Sequence, residues 1–197
     1  MHNIVKKVNS RLKFLFRQGR FLDMNLRKLL CNSLIQCHFD YSSSSWYSGI
    51  SKKLKNKLQV TQNKVIRFIH GYDHRASLKF ADFKQIGWLD IDNRVKQLRL
   101  NHVHKIFYNK CPSYLHEKFT LSSTVHQYNC RNSENNFYVP LVDTFCSGAF
   151  FYQSILDWNS LPIKIKKIEN KHVFKKAVKM HLLESMKDIE LAEFLFF

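Results

Sequence analysis

Two groups of basic side chains in the first 70 residues carry the clearest chemical signal in this sequence. In the string KKLKNKLQVTQNKVIRF, four cations recur at helical spacing: Lys53, Lys57, Lys64 and Arg67. A second group lies in the first 20 residues, where Lys6, Lys13 and Arg17 share one side of a predicted helix and Arg20 follows that helix. Rows of cations suit phosphates, because neutralised phosphates release condensed counterions. We therefore predict that these eight residues bind an RNA or DNA backbone.

Other side chains offer no catalytic arrangement. Asp90 and Asp92 are the most closely spaced carboxylates after a tight turn, and there they are better explained as helix caps than as Mg²⁺ ligands. His102 and His104 stand two apart, so they do not face each other on a helix. The five cysteines are odd in number and lack a C-x-x-C pair, which indicates free thiols in a reducing compartment. We expect no catalytic residue, no metal and no cofactor.

Hydrophobic periodicity predicts a mainly α-helical chain that positions the basic groups. Glycine (5) and proline (3) are scarce, which disfavours all-β folds. We predict a first helix over 4–17, a second one capped by Asp23 or Asn25, and a long third helix that starts after Ser51. The aromatic stretch near 137–147 allows a short β-hairpin. Three phenylalanines interleave with the first basic group and are expected to be core residues: Phe14, Phe16 and Phe21.

The charge of the 197-residue chain is concentrated at one end. The formal net charge is +17, and residues 1–70 hold 14 basic but only 2 acidic side chains. We predict a basic helical segment over 1–75 and a helical C-terminal domain over 76–197 with a polar loop at 120–136. No apolar run reaches the roughly 20 residues of a membrane span, and no secretory signal is seen. We expect no membrane partner and an intracellular protein, cytoplasmic or nuclear, that is not secreted.

A series of local strings, taken in order, resembles one family. The series is similar to the region downstream of the catalytic palm in reverse transcriptases of non-LTR (LINE-type, jockey-like) retrotransposons. The strings cover nearly the whole chain and are KVNSRLKFLFRQGRFL, LRKLLCNSLIQCHFDYSSSSWY, SKKLKNKLQVTQNKVIRF, GWLDIDNRVKQ, KCPSYLHEKF, and DWNSLP followed by HVFKKAVKMHLL.

The resemblance implies a fragment of an RNA-directed DNA polymerase. Residues 1–75 would be similar to the thumb, a helical bundle that grips the template–primer duplex, and the rest to a C-terminal domain. The polymerase aspartates and their Mg²⁺ would belong to a missing palm, so we expect a chain that does not polymerise alone and that retains a contact face for palm and fingers. Two alternatives stay open: a helical protein-interaction module, and the C-terminal tail of a longer active reverse transcriptase.

Overall fold

The computed structural model describes residues 2–109, 112–125, 134–143 and 146–186, and helices dominate these residues, as the sequence predicted. The longer helices are α1 (His2–Gln18), α2 (Met24–Cys31), α3 (Lys52–His70), α4 (Phe80–Ile86), α5 (Ile91–Asn109), α6 (Phe150–Asn159) and α7 (Lys171–Ser185). Short helical segments connect several of them: Gly19–Phe21, Asn32–Gln36, Cys37–Asp40, Ser43–Trp46, Ser113–His116, Ser122–Val125, Cys146–Gly148 and Ile163–Lys166.

The chain forms two compact units, and their boundaries differ from the predicted division after residue 75. The first unit contains residues 2–43, 50–94 and 183–186, and the second contains residues 44–49 and 95–182. The basic groups therefore share a unit with α4 and with the segment that leads into α5. Each unit has its own buried core.

Local signals set the helix ends of the first unit. The Asp23 carboxylate accepts a hydrogen bond from the Leu26 amide at 2.8 Å, so Asp23 rather than Asn25 caps α2. Gly71 ends α3 with a φ of +72°, a left-handed conformation that favours glycine. Asp90 caps α5, because its Oδ1 accepts from the Asn93 amide at 3.0 Å.

The core of the first unit combines an apolar stripe with buried amides. The stripe of α1 consists of Val8, Leu12 and Leu15, which are all buried. On α3, the buried Gln59 accepts a hydrogen bond from the Ile91 amide at 2.9 Å, and Gln62 donates to the Leu89 carbonyl at 2.9 Å. These bonds attach α3 to the turn before α5 and satisfy polar groups that would be costly to bury alone.

Aromatic rings fill the core of the second unit. Phe137 lies 5.4 Å from the Trp158 ring centroid and 5.2 Å from that of Phe119, while Phe174 stacks 5.9 Å from Trp158. Asn159 binds both backbone groups of Phe137, accepting from its N–H at 2.9 Å and donating to its carbonyl at 2.8 Å. Residue 137 is thus held by side chains of α6.

The β-hairpin expected near 137–147 is not formed in the part of the chain that the structure describes. An isolated antiparallel bridge joins Leu121 to Phe137, and Cys146–Gly148 is a 3₁₀ turn. Two features oppose a hairpin: Asn159 already binds the backbone of Phe137, and Pro140 has no N–H to donate. Residues 144 and 145 lie outside the described residues. The predicted polar loop at 120–136 contains the helical turn Ser122–Val125, and its residues 126–133 also lie outside them.

Candidate functional site

Helices α1 and α3 lie side by side and run in the same direction. The N-terminal half of α1 faces the N-terminal half of α3, and Phe16 near the end of α1 meets Phe68 near the end of α3, with ring centroids 4.9 Å apart. Gly19 permits this approach, because a Cβ at this position would lie 3.1 Å from the Phe68 ring. The two helices therefore form a valley that is lined by residues of both.

One end of this valley is a groove of about 690 Å³ that carries four lysines. We call it the lysine groove. It is lined by Val5, Asn9, Lys52, Lys53, Asn56, Lys57, Val60, Thr61 and Lys64. Three of the predicted cations, Lys53, Lys57 and Lys64, share it, and all three are exposed. At about 100° per residue they span an arc of only about 40° on α3. Lys52 also lines the groove and was missed, although it stands next to Lys53 in the sequence.

The predicted cations of α1 lie beside the lysine groove and do not line it. Lys6, Lys13 and Arg17 are exposed and fall within an arc of about 40°, roughly 80° around the helix from Val5 and Asn9. They occupy the outer shoulder of the same valley. Arg20 follows α1 in the 3₁₀ turn, is exposed, and has its guanidinium carbon 5.9 Å from the Phe21 ring centroid.

Arg67 has a structural role that distinguishes it from the other predicted cations. It is half-buried, and its Nε donates to the Ala76 carbonyl at 2.7 Å. Burial lowers the pKa of its guanidinium from the usual value, because the charged form loses hydration. Arg67 therefore helps to hold the turn after α3, and it lines a second cavity, described below, instead of the lysine groove.

The acidic side chains of positions 1–70 make their contacts with residues outside the groove lining. Asp23 caps α2, and Asp40 accepts a two-pronged pair of hydrogen bonds from Arg94 at 2.9 and 2.6 Å. These are the two acidic residues of positions 1–70. Among the described residues, no Asp or Glu lines the groove. The lysines consequently lack neutralising partners within the groove lining.

The three phenylalanines that were expected in the core are exposed. Phe14, Phe16 and Phe21 have 59%, 55% and 78% of their surface accessible. The apolar stripe of α1 is narrow, so Val8, Leu12 and Leu15 fill it and leave the larger rings outside. The prediction that these rings are core residues was wrong.

The remaining candidate groups act as structural residues. Asp90 is a buried cap whose pKa is raised by desolvation to about 6, while Asp92 is exposed. The His104 ring contacts the Ile168 carbonyl at 2.7 Å, and burial lowers its pKa. Within the described part of the chain, no group of three His, Cys, Asp or Glu side chains could hold a metal ion. Cys31 and Cys37 are free thiols.

A second cavity was not anticipated from the sequence. It measures about 480 Å³ and is lined by Leu12, Phe16, Lys64, Arg67, Tyr72, Asp73 and His74. We call it the aromatic pocket. It shares Lys64 with the lysine groove. The signal in the sequence is the string GYDH, which sets an aromatic residue and two polar ones directly after the glycine that ends α3.

Comparison with known proteins supplies no relative. No family model matches the chain, and neither a curated protein nor a solved structure matches it significantly. None of the described helices combines the length and the apolar character needed to cross a membrane.

Proposed function

We propose that this chain binds nucleic-acid backbones, with little sequence preference, through the lysine groove and the shoulder of α1. One observation carries the proposal: lysines that are separated in sequence by up to 12 positions line one groove without a carboxylate among its described lining residues. Because lysines dominate the charged surface of the groove, the contacts would be mainly to phosphates. Phosphate contacts position a duplex but do not read its sequence.

The length of α3 that carries the predicted cations supports a strand of several nucleotides. From Lys52 in the lysine groove to Arg67 beyond it, the helix extends by 15 residues, or about 22 Å at a rise of roughly 1.5 Å per residue. Along one strand of a B-form duplex, phosphates recur about every 3.4 Å, so about six of them fit this length. The four groove lysines and the three cations on the shoulder of α1 are enough to neutralise them.

We further propose that the chain derives from the thumb and C-terminal region of a non-LTR retrotransposon reverse transcriptase, without polymerase activity of its own. The support is the order and spacing of the seven strings, together with a helical first unit that carries the basic groups. In a thumb, a cationic helical face would hold the template–primer duplex. The groove matches that task in charge and in length.

The experiment measures binding of the full chain to an RNA–DNA hybrid of about 20 base pairs by fluorescence anisotropy, over 50–200 mM salt. With six phosphate contacts, log K should fall with log salt at a slope of about −5, which is a loss of roughly 10³-fold over this range. A triple variant, Lys53→Gln, Lys57→Gln and Lys64→Gln, should reduce the slope to about −3 and the loss to roughly 40-fold.

A matched control neutralises three exposed lysines of α7 instead, at Lys171, Lys175 and Lys176. This variant removes the same net charge and should leave the slope near −5. Equal effects of the two triple variants would refute the groove as the binding site. A wild-type slope near zero, or binding only to acidic polypeptides such as polyglutamate, would instead favour the helical protein-interaction module.

A further inference from the structure

The aromatic pocket continues the lysine groove toward the C-terminal ends of α1 and α3. Val5 and Asn9 line the groove, whereas Leu12 and Phe16, two turns further along the same helix, line the pocket. Lys64 belongs to both linings. A strand whose phosphates follow the groove lysines would therefore reach the pocket with its next nucleotide.

Two aromatic rings of the pocket are held in place by their neighbours. Phe16 packs edge-on against the buried Phe68, with an angle of 67° between the ring planes. Tyr72 stacks on His70 at 4.9 Å and donates its hydroxyl to the Asp82 carboxylate at 3.0 Å. Even so, 55% of Phe16 and 42% of Tyr72 remain accessible. The pocket thus offers ring surface that needs little ordering when a ligand binds.

The turn that carries Tyr72 is fixed by backbone contacts. Gly71 adopts its left-handed conformation, and the Tyr72 amide donates to the Arg67 carbonyl at 2.9 Å. The Arg67 side chain returns across the turn to the Ala76 carbonyl. Asp73 is engaged by the His74 ring at 2.7 Å and by the Arg75 amide at 3.1 Å.

The lining of the pocket suits a flat ring. Its charged groups include the carboxylate of Asp73 beside the cations Lys64 and Arg67, and the Nε of Arg67 is already used by Ala76. Leu12, Phe16 and Tyr72 supply apolar and π surface, on which bases of any sequence stack. The volume of about 480 Å³ lies within the roughly 300–1,000 Å³ of small-ligand sites and exceeds the needs of one base.

We propose that the aromatic pocket binds an unpaired nucleobase of a strand whose backbone occupies the lysine groove. This inference rests on the proposed function and extends it: the favoured ligand is a single strand, or a duplex with a single-stranded end. A fully paired duplex would engage only the phosphate contacts of the groove.

The test compares two single strands of equal charge, an oligothymidylate of about 12 nucleotides and an abasic strand of the same length. Wild-type protein should bind the oligothymidylate about 5-fold or more tightly, since stacking of one base on an aromatic side chain has that effect. The two salt slopes should be equal, because the phosphates are the same. Equal affinities combined with a steep salt slope would refute the pocket and leave the proposed function intact.

Variants locate the preference in the pocket. Phe16→Leu keeps an apolar contact with Phe68 but removes the π face. Tyr72→Leu removes the second π face and, with it, the hydrogen bond to Asp82. Each should reduce the preference for the base-containing strand. Phe14→Leu is the matched control, because Phe14 is equally exposed and does not line the pocket. A preference that survives both pocket variants, or that falls equally with Phe14→Leu, would overturn the inference. Absence of binding to either strand would overturn both proposals.

Discussion

Replacing Asp90 by asparagine should stabilise the protein at neutral pH. Asp90 is only 5% exposed, and its Oδ1 caps α5 through the Asn93 amide. Desolvation is the largest cause that raises its pKa to about 6, and the nearby charge of Asp92 adds to the effect. An asparagine caps a helix about as well as an aspartate, while it carries no charge to desolvate.

The magnitude follows from the pKa. An unfolded aspartate titrates near 3.9, so ionised Asp90 is disfavoured in the fold by about two pKa units, or roughly 3 kcal/mol. The asparagine loses a favourable interaction with the helix dipole of about 0.3–1 kcal/mol. The expected gain at pH 7 is therefore about 2 kcal/mol. Because the folded pKa is raised, the folded state holds the proton between about pH 4 and 6, and wild-type stability falls as pH rises through this window.

Urea unfolding followed by circular dichroism at pH 7 and at about pH 3.5 checks this expectation, with Asp143→Asn, at an exposed position far along the chain, as control. Asp90→Asn should raise the unfolding midpoint at pH 7 and have little effect at the acid pH, where the wild-type carboxyl is already neutral. Asp143→Asn should change the free energy of unfolding by less than about 0.5 kcal/mol at either pH. A lower midpoint for Asp90→Asn at pH 7 would show that the charge itself is needed at this cap.

Two further outcomes are expected. Gly71→Ala should destabilise the first unit by about 1–3 kcal/mol, because alanine is strained at a φ of +72° and its Cβ would lie 2.6 Å from the Arg27 Nη1. Thermal melting measures the loss, and an unchanged melting temperature would contradict the expectation. Cys37 should react with maleimide in the native protein at pH 8 while Cys31 stays unmodified, because Cys31 is buried and desolvation raises its pKa to about 12. Peptide mapping distinguishes the two cysteines, and equal labelling would count against the burial of Cys31.

Periodicity was enough to predict the helices and the arcs on which the groove cations lie. The 3–4 residue spacing of Leu58, Thr61 and Val65 predicted which side of α3 is buried, and thereby which side presents Lys57 and Lys64. Helix ends were also predictable from the sequence where a glycine ends a helix, as at Gly71, or an aspartate caps one.

Features that depend on contacts between distant residues were not predictable from periodicity. Phe16 has helical spacing suited to a core, but Val8, Leu12 and Leu15 fill the buried stripe of α1, and the ring of Phe16 packs against Phe68 with 55% of the residue exposed. Gln59 and Gln62 are polar and buried, and their partners lie about 30 residues away, at Ile91 and Leu89. The aromatic pocket depends on where the turn at Tyr72 lies relative to α1, which single-helix patterns do not contain.

Arg27 of α2 links the C-terminal ends of α1 and α3. Its guanidinium donates to the Gly19 carbonyl at 2.7 Å and to the Phe68 carbonyl at 3.4 Å, and thus bridges the C-terminal ends of the two helices. The lysine groove lies at the opposite ends, where this bridge is absent. The spacing of the helix ends that line the aromatic pocket is therefore set by a cation of α2, at a distance from the lysine groove.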